Sequence, residues 1–495
     1  MDLDPALCHQ ALLSRDARFD GRFFVAVKTT GIYCRPICPA RTPKPENCLF
    51  FPSAAAAQQA GFRPCLRCRP ETAPELGAWR GTSNSVSRAL ALIDAGALDT
   101  HSVDALADRL GIGGRQLRRL FMRHLGAAPL AVAQTRRVLL AKQLIHETDL
   151  SMSQVAHASG YGSVRRFNEI FQTMFGRPPA SLRRAPAANN AADAPITLSL
   201  SYRPPYDWPS ILAFLAARAI PGVEIVADEI YHRTIELNGA IGTIAVAHQP
   251  ERNRLRGKIR FPHVAALPTI IARLRRMFDL GADSAMIGAV LSRDPLLAPL
   301  VAARPGLRVP GAWDAFELGV RAIAGQQITV AAATRLTSRI VQQYGIELAA
   351  DTFHCGLTHS FPPPATLATA TLGFMPAARA NAITRVAAGF AANRTLLERG
   401  ADLDASVDQL CALPGIGPWT AHYIAMRALR EPDAFPAADI GLLRAMDEGH
   451  GRPTAAALLA RAESWRPWRA YAALHLWTGG ASSVLAREAT DALAA

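Results

Sequence analysis

Residues 34–38 read Cys-Arg-Pro-Ile-Cys and residues 65–68 read Cys-Leu-Arg-Cys, so four cysteines stand in two close pairs. Each pair can supply two ligands from one short turn, and four thiolates complete a tetrahedral zinc site. The alternative, four unrelated buried thiols, is disfavoured by this spacing. Because so short a segment rarely sustains a core unaided, residues 1–75 are predicted to form a small metal-stabilised module. We predict one Zn²⁺ with these ligands: Cys34, Cys38, Cys65 and Cys68.

The chain has 495 residues, of which 50% are hydrophobic and 19% are charged. At about 150 residues per domain, this length predicts about three domains, and the composition excludes a largely disordered protein. No stretch of about 18 apolar residues lacks a charge, and the N-terminus lacks an apolar segment that would direct secretion. We therefore expect a cytoplasmic protein without a membrane span.

Basic residues are concentrated in the first two-fifths of the chain. The formal net charge is +14, from 54 Lys and Arg against 40 Asp and Glu. Residues 1–190 contain 25 basic and 14 acidic residues and contribute +11, which leaves +3 for the rest. Such a basic region is typical of phosphate binding, although a well-solvated arginine-rich surface would have the same composition. The charge therefore favours nucleic acid as the partner.

An internal repeat with an offset of 50 residues occupies residues 83–184. Leu120-Phe121 matches Ile170-Phe171, and Pro129 matches Pro179. Each copy reads as a helix, a glycine-containing turn and a second helix rich in arginine, which is the pattern of a helix-turn-helix. We predict that the second helices enter DNA major grooves, with these DNA-binding side chains: Arg115, Arg118, Arg119, Arg165 and Arg166. Residues 185–195, rich in Ala, Asn and Pro, are predicted to be a linker.

A second kind of DNA-binding element is indicated near residue 415. Residues 413–417 read Leu-Pro-Gly-Ile-Gly. Glycines at 415 and 417 would let backbone N–H groups approach a phosphate at a helix N-terminus. The pattern predicts a helix-hairpin-helix, with Gly415 and Gly417 as DNA-binding residues. It lies in a helical segment that begins near residue 267, after strand-like alternation at 196–262.

An acidic residue follows this hairpin. Asp439 comes 16 residues after Tyr423. A carboxylate at this position would stabilise a positive charge about 3.5 Å away by about 5 kcal/mol at an effective dielectric of about 20. The alternative is that Asp439 caps the helix that follows it.

The N-terminal motifs resemble a known regulatory family. Residues 29–36 (Thr-Thr-Gly-Ile-Tyr-Cys-Arg-Pro) and 61–68 (Gly-Phe-Arg-Pro-Cys-Leu-Arg-Cys) are similar to the zinc domain of the Ada family. The resemblance implies that Cys34 is catalytic and accepts a methyl group from a DNA methylphosphotriester. Residues 83–184 resemble the AraC/XylS-type DNA-binding region. The Pro-Cys-His-Arg motif of the second Ada methyltransferase domain is absent. Arginines beside the cysteines are expected to contact DNA: Arg35, Arg63, Arg67 and Arg69.

The second half of the chain resembles a different family, 3-methyladenine DNA glycosylase II of the helix-hairpin-helix superfamily. The likeness covers about residues 196–478 and includes Pro-Pro-Tyr-Asp-Trp at 204–208 and Trp-Arg-Pro-Trp-Arg at 465–469. It implies an α+β domain at 196–310, a helical glycosylase domain at 311–495 and a catalytic Asp439. It also implies that the flipped base lies among these residues: Phe214, Gln326, Trp419, Tyr423 and Trp477.

Three positions refine what this second resemblance implies. Trp419 stands where bifunctional relatives carry the lysine that forms a Schiff base, so hydrolysis without strand cleavage is expected. Gln327 stands where the family has a leucine wedge, and Ile440 where it has a tyrosine. No cysteine follows Cys411, so an iron–sulfur cluster cannot be built.

These inferences predict a multidomain protein, mainly helical with α+β parts. We expect a DNA-3-methyladenine glycosylase fused to a methylation-responsive transcriptional regulator of alkylation damage. Its expected partners are double-stranded DNA, both alkylated and promoter DNA, with RNA polymerase as a further candidate, and the chain is expected to be a monomer. The alternative is a transcriptional regulator whose glycosylase-like half binds DNA without catalysis.

Overall fold

The computed structural model describes residues 3–74, 84–183, 195–348, 356–393, 402–447 and 451–479. The chain forms two compact units. The first contains Met1–Pro204, Glu236–Arg275 and Leu280–Ala282, and the second contains Pro205–Ile235, Arg276–Asp279 and Asp283–Ala495. The predicted linker at 185–195 lies outside the described residues except for its last residue. The predicted mainly helical, multidomain fold with α+β parts is confirmed, whereas the domain boundaries stay predictions.

A small sheet organises the N-terminal part of the first unit. Its strands lie in the order Cys48–Phe51, Phe24–Val27, Ile32–Cys34 and Arg63–Pro64. The first three are antiparallel, and Arg63–Pro64 runs parallel to Ile32–Cys34. The helices here are Pro5–Ser14 and Ala54–Gln59, with 3-10 turns at Ala17–Phe19, Pro45–Asn47 and Pro70–Thr72.

Residues 84–183 are helical, and two helix pairs repeat at the predicted offset. Val103–Arg109 and Gly114–Leu125 form the first pair, and Met152–Ala158 and Val164–Phe175 form the second. Pro129–Glu147 connects them. The remaining elements are Asn84–Asp94, Ala97–Thr100 and the 3-10 turn Pro179–Leu182.

Side-chain periodicity explains why the arginine-rich helices present a cationic face. In the first of them, Leu117, Phe121 and Leu125 recur every four residues and are almost completely buried, so the intervening arginines point to solvent. The second copy buries Phe167 and Phe171 in the same way. Each of these helices ends at a glycine in the left-handed region, where a side chain would be strained.

Antiparallel strands follow residue 195. Arg254–Arg260 lies between Ile196–Ser201 and Ala240–Gln249 and pairs with both. Glu224–Ala227 pairs with Ile230–Leu237 in the same sense. The predicted alternation at 235–246 therefore corresponds to parts of two strands that a turn at residues 238–239 separates. A 3-10 turn at Pro250–Arg252 precedes the strand Arg254–Arg260, and another at Val264–Ala266 precedes the helix Leu267–Met277.

The second unit is built mainly from helices. Those at the hairpin are Leu403–Cys411 and Pro418–Arg427, and none of the helices in the described part of the chain is long and apolar enough to cross a membrane. The other helical bounds are Trp208–Ala216, Ser284–Leu291, Leu297–Ala303, Ala315–Ala324, Val330–Tyr344, Pro364–Ala368, Ala377–Ala392, Ile440–Ala445, Ala455–Ala462, Glu463–Trp465 and 469–479. Ile346–Glu347 pairs with His359–Ser360.

A buried network of four charges fixes the helix Ala315–Ala324. Arg233 pairs with Glu317 at 2.7 Å, and Arg321 pairs with Glu224 at 2.6 Å. All four side chains are at most 17% exposed, and their charges balance. Such a network holds its members in one geometry, because removing one partner would leave a buried charge uncompensated. The network therefore positions the loop that begins at Gly325, directly after this helix.

Candidate zinc site and active site

The four predicted zinc ligands come together in the small N-terminal module. One sulfur atom from each of Cys34, Cys38, Cys65 and Cys68 lies within 4.8 Å of the others. Every one of these side chains is at most 9% exposed. Four sulfurs at the usual zinc–sulfur distance of about 2.3 Å would be about 3.8 Å apart, so the cluster fits a tetrahedral zinc ion.

Backbone groups and strand geometry support the sulfur cluster. Cys34 ends the strand Ile32–Cys34, and Cys65 directly follows the strand that pairs with it. The N–H of Arg35 donates to Cys68 Sγ at 3.4 Å, and the N–H of Arg67 donates to Cys65 Sγ at 3.3 Å. Hydrogen bonds of this kind favour the thiolate form that a metal requires.

Two arginines expected to contact DNA are turned inward. The Arg35 guanidinium pairs with Asp20 and donates to the Cys68 carbonyl at 3.2 Å. Arg69 pairs with Glu71 at 3.1 Å and with Glu147 at 2.8 Å. Their charges are therefore already paired within the protein. Arg67 is exposed and Arg63 half-buried, so these two remain candidates for DNA contact.

The predicted DNA-binding arginines of both helix-turn-helix units lie on the exposed helix faces. Arg118 approaches Asp104 at 3.3 Å, and Arg165 pairs with Glu169 at 2.8 Å. These contacts are solvent-exposed, so each is weak and can be exchanged for a phosphate. The exposed set is Arg115, Arg118, Arg119, Arg165 and Arg166.

The predicted hairpin connects the helices Leu403–Cys411 and Pro418–Arg427. Gly415 has φ +82°, and a Cβ added there would lie 2.3 Å from Ala382 Cβ, so glycine is required. Gly417 is the exposed N-cap residue of the second helix. Gln326 Nε2 donates to the Gly415 carbonyl at 2.7 Å and to Thr420 Oγ1 at 3.1 Å. In this structure Gln326 therefore ties the hairpin to the loop that follows Ala315–Ala324.

Asp439 combines the two roles that its sequence position left open. Its Oδ1 accepts the Leu442 N–H at 2.9 Å and so caps the helix Ile440–Ala445. The same oxygen accepts the Trp477 Nε1–H at 2.8 Å, and Oδ2 accepts the Trp419 Nε1–H at 2.9 Å. None of the ion pairs among the described residues includes Asp439. Three neutral donors thus orient a half-buried carboxylate.

Aromatic side chains surround this carboxylate. The Trp419 and Tyr423 rings are stacked, with centroids 5.4 Å apart and planes inclined by 8°. Trp477 reaches the group through Asp439. Phe214 is connected through Arg427, whose guanidinium lies 4.7 Å from the Phe214 centroid and 5.3 Å from that of Tyr423. The structure therefore connects the predicted aromatic residues in one group, in which Trp419 and Trp477 contact Asp439 directly.

Two cations in this group were not among the predicted site residues. Arg427 donates to the Tyr423 hydroxyl at 2.7 Å, and Arg218 lies 3.7 Å from the Phe214 ring centroid. Burial alone would raise the pKa of Tyr423, but the charges of Arg427 and Arg218 outweigh it and lower that pKa. The position of Arg427, one helical turn after Tyr423, is the sequence signal that could have identified it.

The two departures from the family pattern are both at the surface. Gln327 is exposed and has φ +59°, a conformation unusual for a residue with a side chain. Ile440 is 58% exposed and directly follows Asp439.

Comparison with known proteins gives matches along most of the chain. Residues 7–71 match the metal binding domain of Ada, residues 106–185 a helix-turn-helix domain, and residues 197–314 the AlkA N-terminal domain. With the four-cysteine cluster, the first of these matches confirms the predicted Zn²⁺ site.

Some individual relatives match one half of this chain, and others match both halves. DNA-3-methyladenine glycosylase 2 of Escherichia coli is 38% identical over 56% of this chain and 96% of its own. The structure of a 3-methyladenine DNA-glycosylase from Archaeoglobus fulgidus has a TM-score of 0.51 and 20% identity, covers 57% of this chain and 97% of its own, and shows likeness of fold. The Mycobacterium tuberculosis bifunctional transcriptional activator/DNA repair enzyme AlkA is 41% identical over 95% of both chains. The chain belongs to the family of these bifunctional transcriptional activator/DNA repair enzymes.

Proposed function

We propose that this protein is a monofunctional DNA glycosylase for alkylated bases, joined to a transcriptional regulator that responds to DNA methylation. The observation that carries the proposal is the Asp439 carboxylate, oriented by two indole N–H groups beside the stacked Trp419 and Tyr423 rings. Relatives whose names include glycosylase and transcriptional activator support both parts.

In the glycosylase reaction, Asp439 would stabilise the sugar as the bond to the base breaks. The base must first leave the DNA stack. A carboxylate about 3.5 Å from the developing charge contributes about 5 kcal/mol at an effective dielectric of about 20, or more than about a thousandfold in rate. Its second oxygen can orient the attacking water. The helix Pro418–Arg427 contains no lysine, so we assign hydrolysis rather than Schiff-base chemistry.

Base recognition is assigned to the indoles near Asp439. An alkylated purine with a positive charge is attracted to an electron-rich aromatic face. The Phe214 ring already has Arg218 and Arg427 within 5 Å of its centroid. Trp419 and Trp477 therefore remain the better candidates for contact with the cationic base.

In the N-terminal module, Cys34 would act as a stoichiometric methyl acceptor. Bound Zn²⁺ keeps the ligand sulfurs as thiolates and leaves the site with a net charge of −2. The Cys34 sulfur forms a bond to the methyl carbon, and the bond from that carbon to the phosphotriester oxygen breaks. The phosphate leaves as a diester anion and Cys34 becomes a thioether. Mass spectrometry should then find one added methyl group on Cys34 and none in a Cys34→Ser protein.

The glycosylase proposal is tested with the full chain and duplex DNA treated with a methylating agent. We expect release of free 3-methyladenine, an abasic strand that stays uncut, and no covalent adduct after borohydride reduction. If zinc-loaded protein binds this DNA but releases no base, the regulator with a non-catalytic glycosylase-like half is the correct reading. A borohydride-trapped adduct would contradict the monofunctional assignment.

A further inference from the structure

The helix Pro129–Glu147, which connects the two helix-turn-helix units, is buried against the zinc module. The Lys142 ammonium donates to the carbonyl of the zinc ligand Cys65 at 3.0 Å and pairs with Glu71 at 2.5 Å. Both side chains of this ion pair are 0% exposed. Loss of either partner would leave an uncompensated charge in the interior, so the pair fixes the position of the helix relative to the Cys65 loop.

A second contact joins the same helix to the strand that carries Cys34. Thr135 Oγ1 donates to Gln58 Oε1 at 2.8 Å, and Gln58 Nε2 donates to the hydroxyl of Tyr33 at 3.1 Å. Tyr33 is completely buried and directly precedes Cys34. The zinc module is therefore attached to the helix on both sides of the sulfur cluster.

The end of this helix also binds the strand Ile196–Ser201, which begins the region that matches the AlkA N-terminal domain (residues 197–314), called here the AlkA-type domain. The Ser199 N–H donates to Glu147 Oε2 at 2.8 Å, and the Ser199 carbonyl accepts from Gln143 Nε2 at 2.8 Å. Ser199 belongs to the strand Ile196–Ser201, whose other side pairs with Arg254–Arg260. Two side chains one helical turn apart thus satisfy the backbone of an edge strand, a position that otherwise exposes unpaired groups.

Arg69 completes a continuous path between these contacts. Its guanidinium pairs with Glu71 at 3.1 Å and with Glu147 at 2.8 Å. Arg69 directly follows the zinc ligand Cys68, and Glu147 is the residue that holds Ser199. All of these residues belong to the first compact unit.

We propose that the face of this helix formed by Lys142, Gln143 and Glu147 is an internal docking surface that couples the zinc module to the AlkA-type domain. When the zinc loop is ordered, Arg69 and Glu71 hold Glu147 and Lys142 in place, and these keep the strand Ile196–Ser201 attached. When the loop loses its order, the strand loses part of its protection. The zinc module and the strand Ile196–Ser201 therefore share one energetic unit within the first compact unit.

Amide hydrogen exchange of the full chain, with zinc bound and after removal by a chelator, tests this coupling. We expect zinc removal to raise the exchange rate of the Ile196–Ser201 amides by about tenfold. An exchange rate that does not respond to zinc in the wild-type chain would overturn the proposal.

Two variants each remove one member of the ion pair between Arg69 and Glu147. Arg69→Met removes the cation, and Glu147→Gln removes the anion while keeping an oxygen that can accept the Ser199 N–H. In each we expect the zinc response of the strand to fall to about twofold or less. Arg18→Met, which removes an exposed pair with Asp16 in the same module, should respond like the wild type.

Measuring the zinc bound per chain identifies the variants in which the zinc module still folds. If Arg69→Met fails to bind zinc, Glu147→Gln decides the outcome, because it changes no residue of the zinc module. A full response in a zinc-binding variant of either kind would show that the coupling does not pass through this pair, and the proposal would fail.

Discussion

Asp439 serves both as a helix cap and as the proposed catalytic group, and replacing it with asparagine separates the two roles. Asparagine also caps helices well, so Ile440–Ala445 should still form. The neutral amide cannot stabilise a cationic sugar. We expect Asp439→Asn to bind DNA normally and to release 3-methyladenine about a thousandfold more slowly in single-turnover assays. A wild-type rate would remove Asp439 from the reaction.

Trp477 is predicted to act by orienting this carboxylate. Trp477→Phe keeps an aromatic ring but removes the N–H that donates to Asp439 Oδ1. A hydrogen bond to a charged group contributes about 1.5–3 kcal/mol, so kcat should fall by about ten- to a hundredfold. The retained aromatic face can still contact the base, so the change in KM should be smaller than the change in kcat. Trp465→Phe is the matched control, because Trp465 donates to a different carboxylate, that of Asp294. An equal loss in both variants would indicate a general effect of losing a tryptophan.

His475 gives the second unit a pH-dependent stability. Burial lowers the pKa of His475 to about 4 from 6.5, so the unfolded chain takes up a proton that the folded chain resists. Stability is therefore lost as the pH falls from about 6.5 towards 4. We expect His475 to lower the free energy of unfolding by about 2–3 kcal/mol at pH 4.5 relative to pH 7. In urea unfolding followed by tryptophan fluorescence, His475→Gln should lack this part of the decline; an unchanged decline would contradict the assignment.

At the residue scale, sequence reasoning succeeded where the partners are close in the chain. The cysteine quartet was predictable because each pair of ligands lies within five residues. The pair Arg35–Asp20 was not, because its members lie 15 residues apart, and neither was the pair Arg69–Glu147, whose members lie 78 residues apart. Trp477 was expected at the site through the family resemblance, but its hydrogen bond to Asp439, 38 residues earlier in the chain, was not predicted.

At the scale of elements, the arginine-rich helices Gly114–Leu125 and Val164–Phe175 occupy equivalent positions in the repeat. They differ in whether their first arginine forms an ion pair. Arg115 and Arg165 occupy matching positions of the repeat, yet only Arg165 has a carboxylate partner within ion-pair distance, Glu169 at 2.8 Å. Each full phosphate contact contributes about 0.9 to the slope of log affinity against log salt. On a non-specific duplex, Arg115→Ala should therefore lower this slope by about 0.9, and Arg165→Ala by less.

The charge partner provides the control for this comparison. Glu169→Ala should raise DNA affinity and make a subsequent loss of Arg165 as costly as the loss of Arg115. Equal slopes for the two single arginine variants would show that the Arg165–Glu169 pair does not compete with phosphate.

The helix-turn-helix repeat could be predicted from the sequence because the spacing of its buried residues is a local pattern. Buried residues at four-residue intervals and cap residues such as Ser151 and Ser163 mark the helices directly. The role of Pro129–Glu147 was hidden, since its polar residues Lys142 and Glu147 resemble an ordinary solvated helix end. Only the tertiary contacts reveal that this end is an interface.

At the scale of the whole molecule, most of the net positive charge precedes residue 190, in the part that contains the zinc site. Methylation of Cys34 would convert a thiolate ligand into a neutral thioether and change the charge of the site from −2 to −1. One unit of charge about 8 Å from a phosphate, at an effective dielectric of about 40, contributes about 1 kcal/mol. Relief of repulsion at two or three phosphates, reduced by salt screening, predicts stronger DNA binding after methylation.

The inward orientation of Arg35 and Arg69 sets the size of this effect. Their charges are already paired with Asp20, Glu71 and Glu147. Of the four arginines named beside the cysteines, the exposed Arg67 and the half-buried Arg63 therefore remain to act on DNA. We therefore expect an increase in affinity of about tenfold, smaller at high salt. The measurement compares full-length protein before and after reaction with methylphosphotriester DNA, at two salt concentrations, on one duplex. Cys34→Ser protein should show no change, and an unchanged affinity after stoichiometric methylation of Cys34 would exclude the electrostatic switch.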